Sequence, residues 1–108
     1  MRIEATKVFN KNFKRLKKKY PSFETDFGEF IEELQNNPIA GADIGGGFRK
    51  IRMSVKSKGK GKSGGMRVIT FNYLLNTDNG MIVLVTIYDK SEHDSISDEQ
   101  IRDALNSL

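Results

Sequence analysis

Residues 81–88 read MIVLVTIY, with Thr86 as the one residue that is not apolar. A short apolar run rich in β-branched side chains is a strand, and one that does not alternate is covered on both faces, or nearly so. This segment is therefore the expected centre of a sheet, and its neighbours follow from it. Upstream, Met66 to Leu75 reads as a second β-rich strand, and Asn76 to Gly80 as the turn between them, with Asp78, Asn79 and Gly80 at its bend. Further upstream the period is two. Phe48, Lys50, Arg52 and Ser54 face one way, and Arg49, Ile51, Met53 and Val55 the other, as in a half-buried strand. The segment joining these last two strands, Lys56 to Gly65, reads KSKGKGKSGG and is a loop, while the glycine-rich Ile39 to Gly47 reads as a connector.

The N-terminal third has helical period. Phe9, Phe13, Leu16 and Tyr20 form one apolar stripe, with Thr6 as its cap. Tyr20-Pro21 ends that helix, because a residue before proline avoids the α region. Ser22 then reads as a new N-cap, followed by the stripe Phe23, Phe27, Phe30, Ile31 and Leu34, which Asn36-Asn37-Pro38 stops. At the other end, Ser97 and Gln100 have capping-box spacing, and Ile101, Leu105 and Leu108 line one side of a terminal helix. Arg2 to Ala5 is a short β candidate. The expected order is β-α-α-β-β-β-α. It gives an α+β domain over residues 1–108, with a twisted antiparallel sheet of three to four strands, an N-terminal αα-hairpin and a C-terminal helix.

Length and composition exclude much. A chain of 108 residues makes one domain, too short for a two-domain enzyme or a βα barrel. It has no cysteine, which removes disulfides, thiolate chemistry and cysteine zinc sites and points to a reducing cytoplasm. One histidine, His93, supplies no set of imidazoles for a metal. No apolar run approaches the roughly 20 residues that span a bilayer, and the start has no signal-peptide core.

Charge lies in blocks. Lys7 to Lys19 holds seven bases and no acid, and Arg49 to Arg67 holds eight bases and no acid. The remaining three bases share the rest of the chain with all fourteen acids. Two basic patches on an otherwise acidic domain suit a polyanion, most simply nucleic acid. A solvated helix face is the plain alternative for the first block. In the second, Lys56, Lys58, Lys60 and Lys62 recur at every second residue among glycines, but no GxxxxGK[ST] phosphate loop is present. The arginine forks of Arg49, Arg52 and Arg67 match phosphate oxygens. Near this block there is no carboxylate constellation for a metal, so cleavage of RNA here would need the 2′-hydroxyl deprotonated, the phosphate oxygens neutralised and the leaving 5′-oxygen stabilised by protein groups. Tyr88 closes the last strand and offers a hydroxyl or a stacking face, or else is a core-edge tyrosine. Lys90 and His93 follow it, the latter between Glu92 and Asp94 and as readily a solvated loop residue.

These segments together resemble the RelE/ParE superfamily of toxins from bacterial toxin–antitoxin modules, most closely its HigB-like branch. The resemblance rests on GGFRKIR at 46–52, KGKGKSGGMRVI at 58–69 and LVTIYDKSEHD at 84–94, with the helices where the family places them. It implies a ribosome-dependent endonuclease that cuts mRNA in the A site without metal or cofactor, inhibits translation in the cytoplasm, and is silenced by a cognate antitoxin, usually a helix-turn-helix protein. It further implies that Arg67 holds the scissile phosphate, that Lys56, Lys58 and Lys60 supply a base or a transition-state clamp, and that Tyr88 stacks on the base or orients the 2′-hydroxyl. Lys90 takes a position that varies among relatives. His93 lies further from the strand-terminal tyrosine than the histidine of some members and is a secondary candidate. Arg49, Arg52 and Lys62 are expected on the RNA, and Lys14, Lys17 and Lys18 on ribosomal RNA. Two competitors are a ParE-like gyrase inhibitor, whose members generally lack so dense a basic surface, and a ribosome-binding module without catalysis.

Overall fold

A computed structural model describes residues 2–59, 61, 64–74 and 80–108, with Leu74 described by its backbone alone. The elements run β1 (Arg2–Ala5), α1 (Lys7–Lys19), α2 (Phe23–Asn36), β2 (Ala42–Gly45), β3 (Phe48–Met53), a 3-10 turn at Lys56–Lys58, β4 (Met66–Leu74), β5 (Gly80–Asp89) and α3 (Asp98–Leu105). They form an α+β fold on one five-stranded sheet, ordered β1-β5-β4-β3-β2. The sheet has more strands than the sequence led us to expect, and it is mixed. β1 lies parallel to β5, with Arg2 opposite Met81 and Ala5 opposite Leu84, while the other pairs are antiparallel.

The extra strand is β2, in the segment read as a connector. Its four residues are all exposed, and they pair with β3 through Ala42↔Lys50 and Asp43↔Arg49. The turn that follows is glycine because it must be: Gly45, Gly46 and Gly47 have φ of +96°, +61° and +88°, where a side chain would be strained. Arg49 fixes the start of this strand, donating from Nε to the Ala40 carbonyl at 3.0 Å and from Nη2 to the Gly41 carbonyl at 2.8 Å. The expected bend at Asp78 and Asn79 lies outside the described residues; Gly80 opens β5.

β5 is covered on both faces, as its composition required. Ile82, Leu84 and Ile87 face the α1/α2 core, which Phe9, Leu16, Phe23, Phe30, Leu34, Met53 and Met66 complete. Val83, Val85 and Tyr88 face a second cluster with Ile69 and with Ile101 and Ala104 of α3. A bulge opposite Ile69/Thr70 explains why the alternation slips by one residue along β5. Thr6 ties α1 to that irregularity. It caps the helix, accepting from the Phe9 amide at 3.0 Å, and its hydroxyl donates to the Val85 carbonyl at 2.7 Å.

Two terminal readings change. Ser22 does not cap α2: its backbone is helical, and its hydroxyl instead donates to Asp26 at 2.6 Å, within the same turn that receives the basic loop. Leu108 lies beyond α3 and is 57% exposed, so Ile101 and Ala104 carry the burial of that helix. The capping box of Ser97 and Gln100 is formed in both directions. Among the described residues, no helix is long and apolar enough to cross a membrane.

Candidate functional site

The site lies where β3 and β5 end and β4 begins. Gly65 brings these strands together. A Cβ there would come within 2.2 Å of the Met53 carbonyl oxygen, so only glycine lets β4 start this close to β3, and its own carbonyl accepts from the Lys90 amide at 3.1 Å. Register then does the rest. Arg52 stands directly opposite Arg67, and Arg67 directly opposite Tyr88. Because Ile51 and Met53 turn into the α1/α2 core, Arg52 is on the other face, the one shared by Tyr88. Met66 and Val68 likewise turn into that core, which puts Arg67 with them.

The three side chains differ in setting. Arg52 is exposed and makes no hydrogen bond or ion pair among the described residues. Arg67 is only 5% exposed, and its Nη1 donates to the Met66 carbonyl at 3.2 Å. Tyr88 is 4% exposed, and its buried hydroxyl has no hydrogen-bond partner among the described residues. His93 lies edge-on to the Tyr88 ring, with centroids 6.4 Å apart. Two guanidinium groups opposite each other on one sheet face repel, and an anion between them relieves that cost.

The other sequence-predicted residues distribute as follows. Lys58 is on the opposite face, as described below. Lys56 is exposed beside Glu29 at 3.4 Å, an ion pair too solvated to weigh much. Lys90 reaches Asp94 at 3.4 Å. Arg49 is held by the backbone of residues 40–41. Lys14, Lys17 and Lys18 are exposed on α1, with Lys17 3.4 Å from Glu24. Lys60 and Lys62 lie outside the described residues.

Sequence reasoning gave Asp89 no place in the site. This carboxylate is fully buried. It accepts from the Lys58 ammonium at 2.5 Å, the Tyr20 hydroxyl at 2.5 Å, and the Ser91 hydroxyl and amide at 2.7 and 2.9 Å. Burial alone would raise its pKa, but the donated hydrogen bonds outweigh burial and hold it well below the usual carboxylate range. Tyr20 is pushed up to about 12, by burial first and then by its hydrogen bond and proximity to Asp89. Nothing local in the sequence announces this cluster, since its members lie on α1's end, the loop and β5.

The two shifts have opposite signs in linkage. The depressed Asp89 contributes stability that is complete above about pH 4 and is lost as pH falls below that. The raised Tyr20 contributes stability that is complete below about pH 10 and is lost as pH rises toward 12. Urea midpoints measured across pH are therefore expected to fall at both ends. Tyr20→Phe should remove part of the alkaline fall and, by taking away one donor to Asp89, also lessen the acid one, and an unchanged alkaline limb would break this assignment.

The family model described as the RelE toxin of the RelE/RelB toxin–antitoxin system matches residues 6–107. That span takes in every element from α1 to α3, and the chain belongs to this family. It is thus the toxin half of a toxin–antitoxin pair, with a cognate antitoxin as its counterpart.

Proposed function

We propose that this toxin is an endoribonuclease that stops translation by cutting mRNA in the ribosomal A site, without a metal or cofactor. The observation that carries the reading is the row Arg52–Arg67–Tyr88, three strands contributing two cations and one phenol to a single sheet face. In the proposed reaction the 2′-hydroxyl attacks the adjacent phosphorus and the bond to the 5′-oxygen breaks. The products are a 2′,3′-cyclic phosphate and a 5′-hydroxyl. Arg67 and Arg52 hold the non-bridging oxygens as negative charge develops on them, which is where fixed cations lower the barrier most. Tyr88 orients the 2′-hydroxyl or stacks on its base. Lys56, Lys60 and Lys90 add positive potential, with His93 beside Tyr88 a secondary donor for the leaving oxygen. Lys62 is proposed as a further contact to the message, whereas Arg49 shares the face of Ile51 and Met53 and is bound by the Ala40 and Gly41 carbonyls, away from this row.

The exposed Lys14, Lys17 and Lys18 on α1 are proposed to meet ribosomal RNA, where repeated cations follow phosphates. The antitoxin is proposed to be a helix-turn-helix protein and the compartment the cytoplasm. Primer extension on a defined message in a purified translation system tests the central claim. Cuts are expected only when ribosomes are present, at fixed positions within codons. No cuts in either reaction from folded protein would shift the reading to a gyrase-directed or purely binding toxin.

A further inference from the structure

The loop that joins β3 to β4 carries half of the second basic block, yet its first residues are tied back to the helices through their backbone amides. The Lys56 amide donates to Asp26 at 2.9 Å, and the Ser57 amide to the Ser22 hydroxyl at 2.9 Å. Lys58 then turns inward. Its side chain is 5% exposed, pairs with the fully buried Asp89, bonds Ser91 at 3.3 Å and lies 5.4 Å from the centre of the Tyr20 ring. Tyr88 and Asp89 are consecutive on one strand, so they occupy opposite faces of the sheet. Tyr88 packs with α3, whereas Tyr20 borders the α1/α2 core. The Lys58 ammonium is thus on the other side of the sheet from Arg67 and Tyr88.

We propose that Lys58 and Asp89 form a buried strut that seats the basic loop against the α1–α2 turn, making both positioning residues, with Lys58 neither a base nor a phosphate contact. The part of this that concerns cleavage rests on the endonuclease reading; the strut itself does not. A buried ion pair is an effective anchor for this purpose. Removing one partner strands a charge, while removing both together is far less disruptive. Asp26 and Ser22 hold the preceding two residues, so the stem of the loop is fixed at three successive positions before Gly59 turns the chain at φ +71°.

Lys58→Met, Asp89→Asn and the double variant test this by amide hydrogen exchange, cleavage and RNA binding. Each single change is expected to reduce protection of the amides of residues 56–59 by about tenfold or more, and cleavage similarly, and the double variant to regain both to within a few-fold of the parent. Lys58→Met should leave the salt dependence of RNA binding unchanged, whereas losing a phosphate contact lowers its slope by about one. Regained protection with cleavage still as slow as in Lys58→Met would make Lys58 a chemical participant and overturn the proposal. Unchanged protection in both single variants would overturn it equally. Should the parent itself not cut RNA, the endonuclease reading fails, and the exchange and salt measurements still decide the strut.

Discussion

Arg67→Ala is expected to slow ribosome-dependent cleavage by roughly 10²–10³-fold, while association with ribosomes changes little. The effect is electrostatic. Arg67 sits in mid-row, between Arg52 and Tyr88, so in the proposed reaction a phosphate held by both arginines would also face the phenol. Binding of a long polyanion is shared among many cations, so one loss is diluted; charge developing at a single phosphorus is not. Because Arg67 is nearly buried, Arg67→Lys and the exposed Arg52→Ala belong beside it. Lysine keeps the charge but loses the two-pronged fork, so a loss of at least tenfold is expected there too. Arg52→Ala should leave the thermal melt in place and still lower the rate. Full cleavage by all three variants would remove this row from the reaction.

Phe23→Ala should cost about 3–5 kcal/mol. Phe23 is wholly buried at the start of α2, edge-on to Phe13 at a centroid distance of 5.1 Å, within the ring cluster that holds α1 to α2. A domain of this size has only about 5–15 kcal/mol in total, so the variant stands near the edge of folding. Urea unfolding is expected to show a lower midpoint at an unchanged slope. A shift below about 1 kcal/mol would mean that the aromatic cluster closes over the gap and is less rigid than its packing indicates.

Helices and central strand were legible because their signals are local. The stripes of α1 and α2 repeat at helical spacing, and an apolar run such as β5 can only be buried on both sides. β2 had no such signal. Ala42 to Gly45 lacks alternation and is exposed throughout, so its strand character comes from pairing with β3. Parallel pairing of β1 has no local signature either. At the site, Arg67 and Tyr88 were named from motifs, and their face-to-face placement is a matter of register, which sequence period can suggest but not number. Lys58 looked equivalent to Lys56 in a repeating pattern. What separates them is Asp89, 31 residues away along the chain.

The first strand pairs with the last, Arg2 lying opposite Met81 in the sheet, and Thr6 binds Val85 across 79 residues. During synthesis, therefore, β1 and the cap of α1 must wait until β5 has been made before they find their partners. The row of Arg52, Arg67 and Tyr88 likewise needs β5 in place. A toxin built this way cannot close its sheet or line up these three side chains before β5 has emerged from the ribosome that makes it.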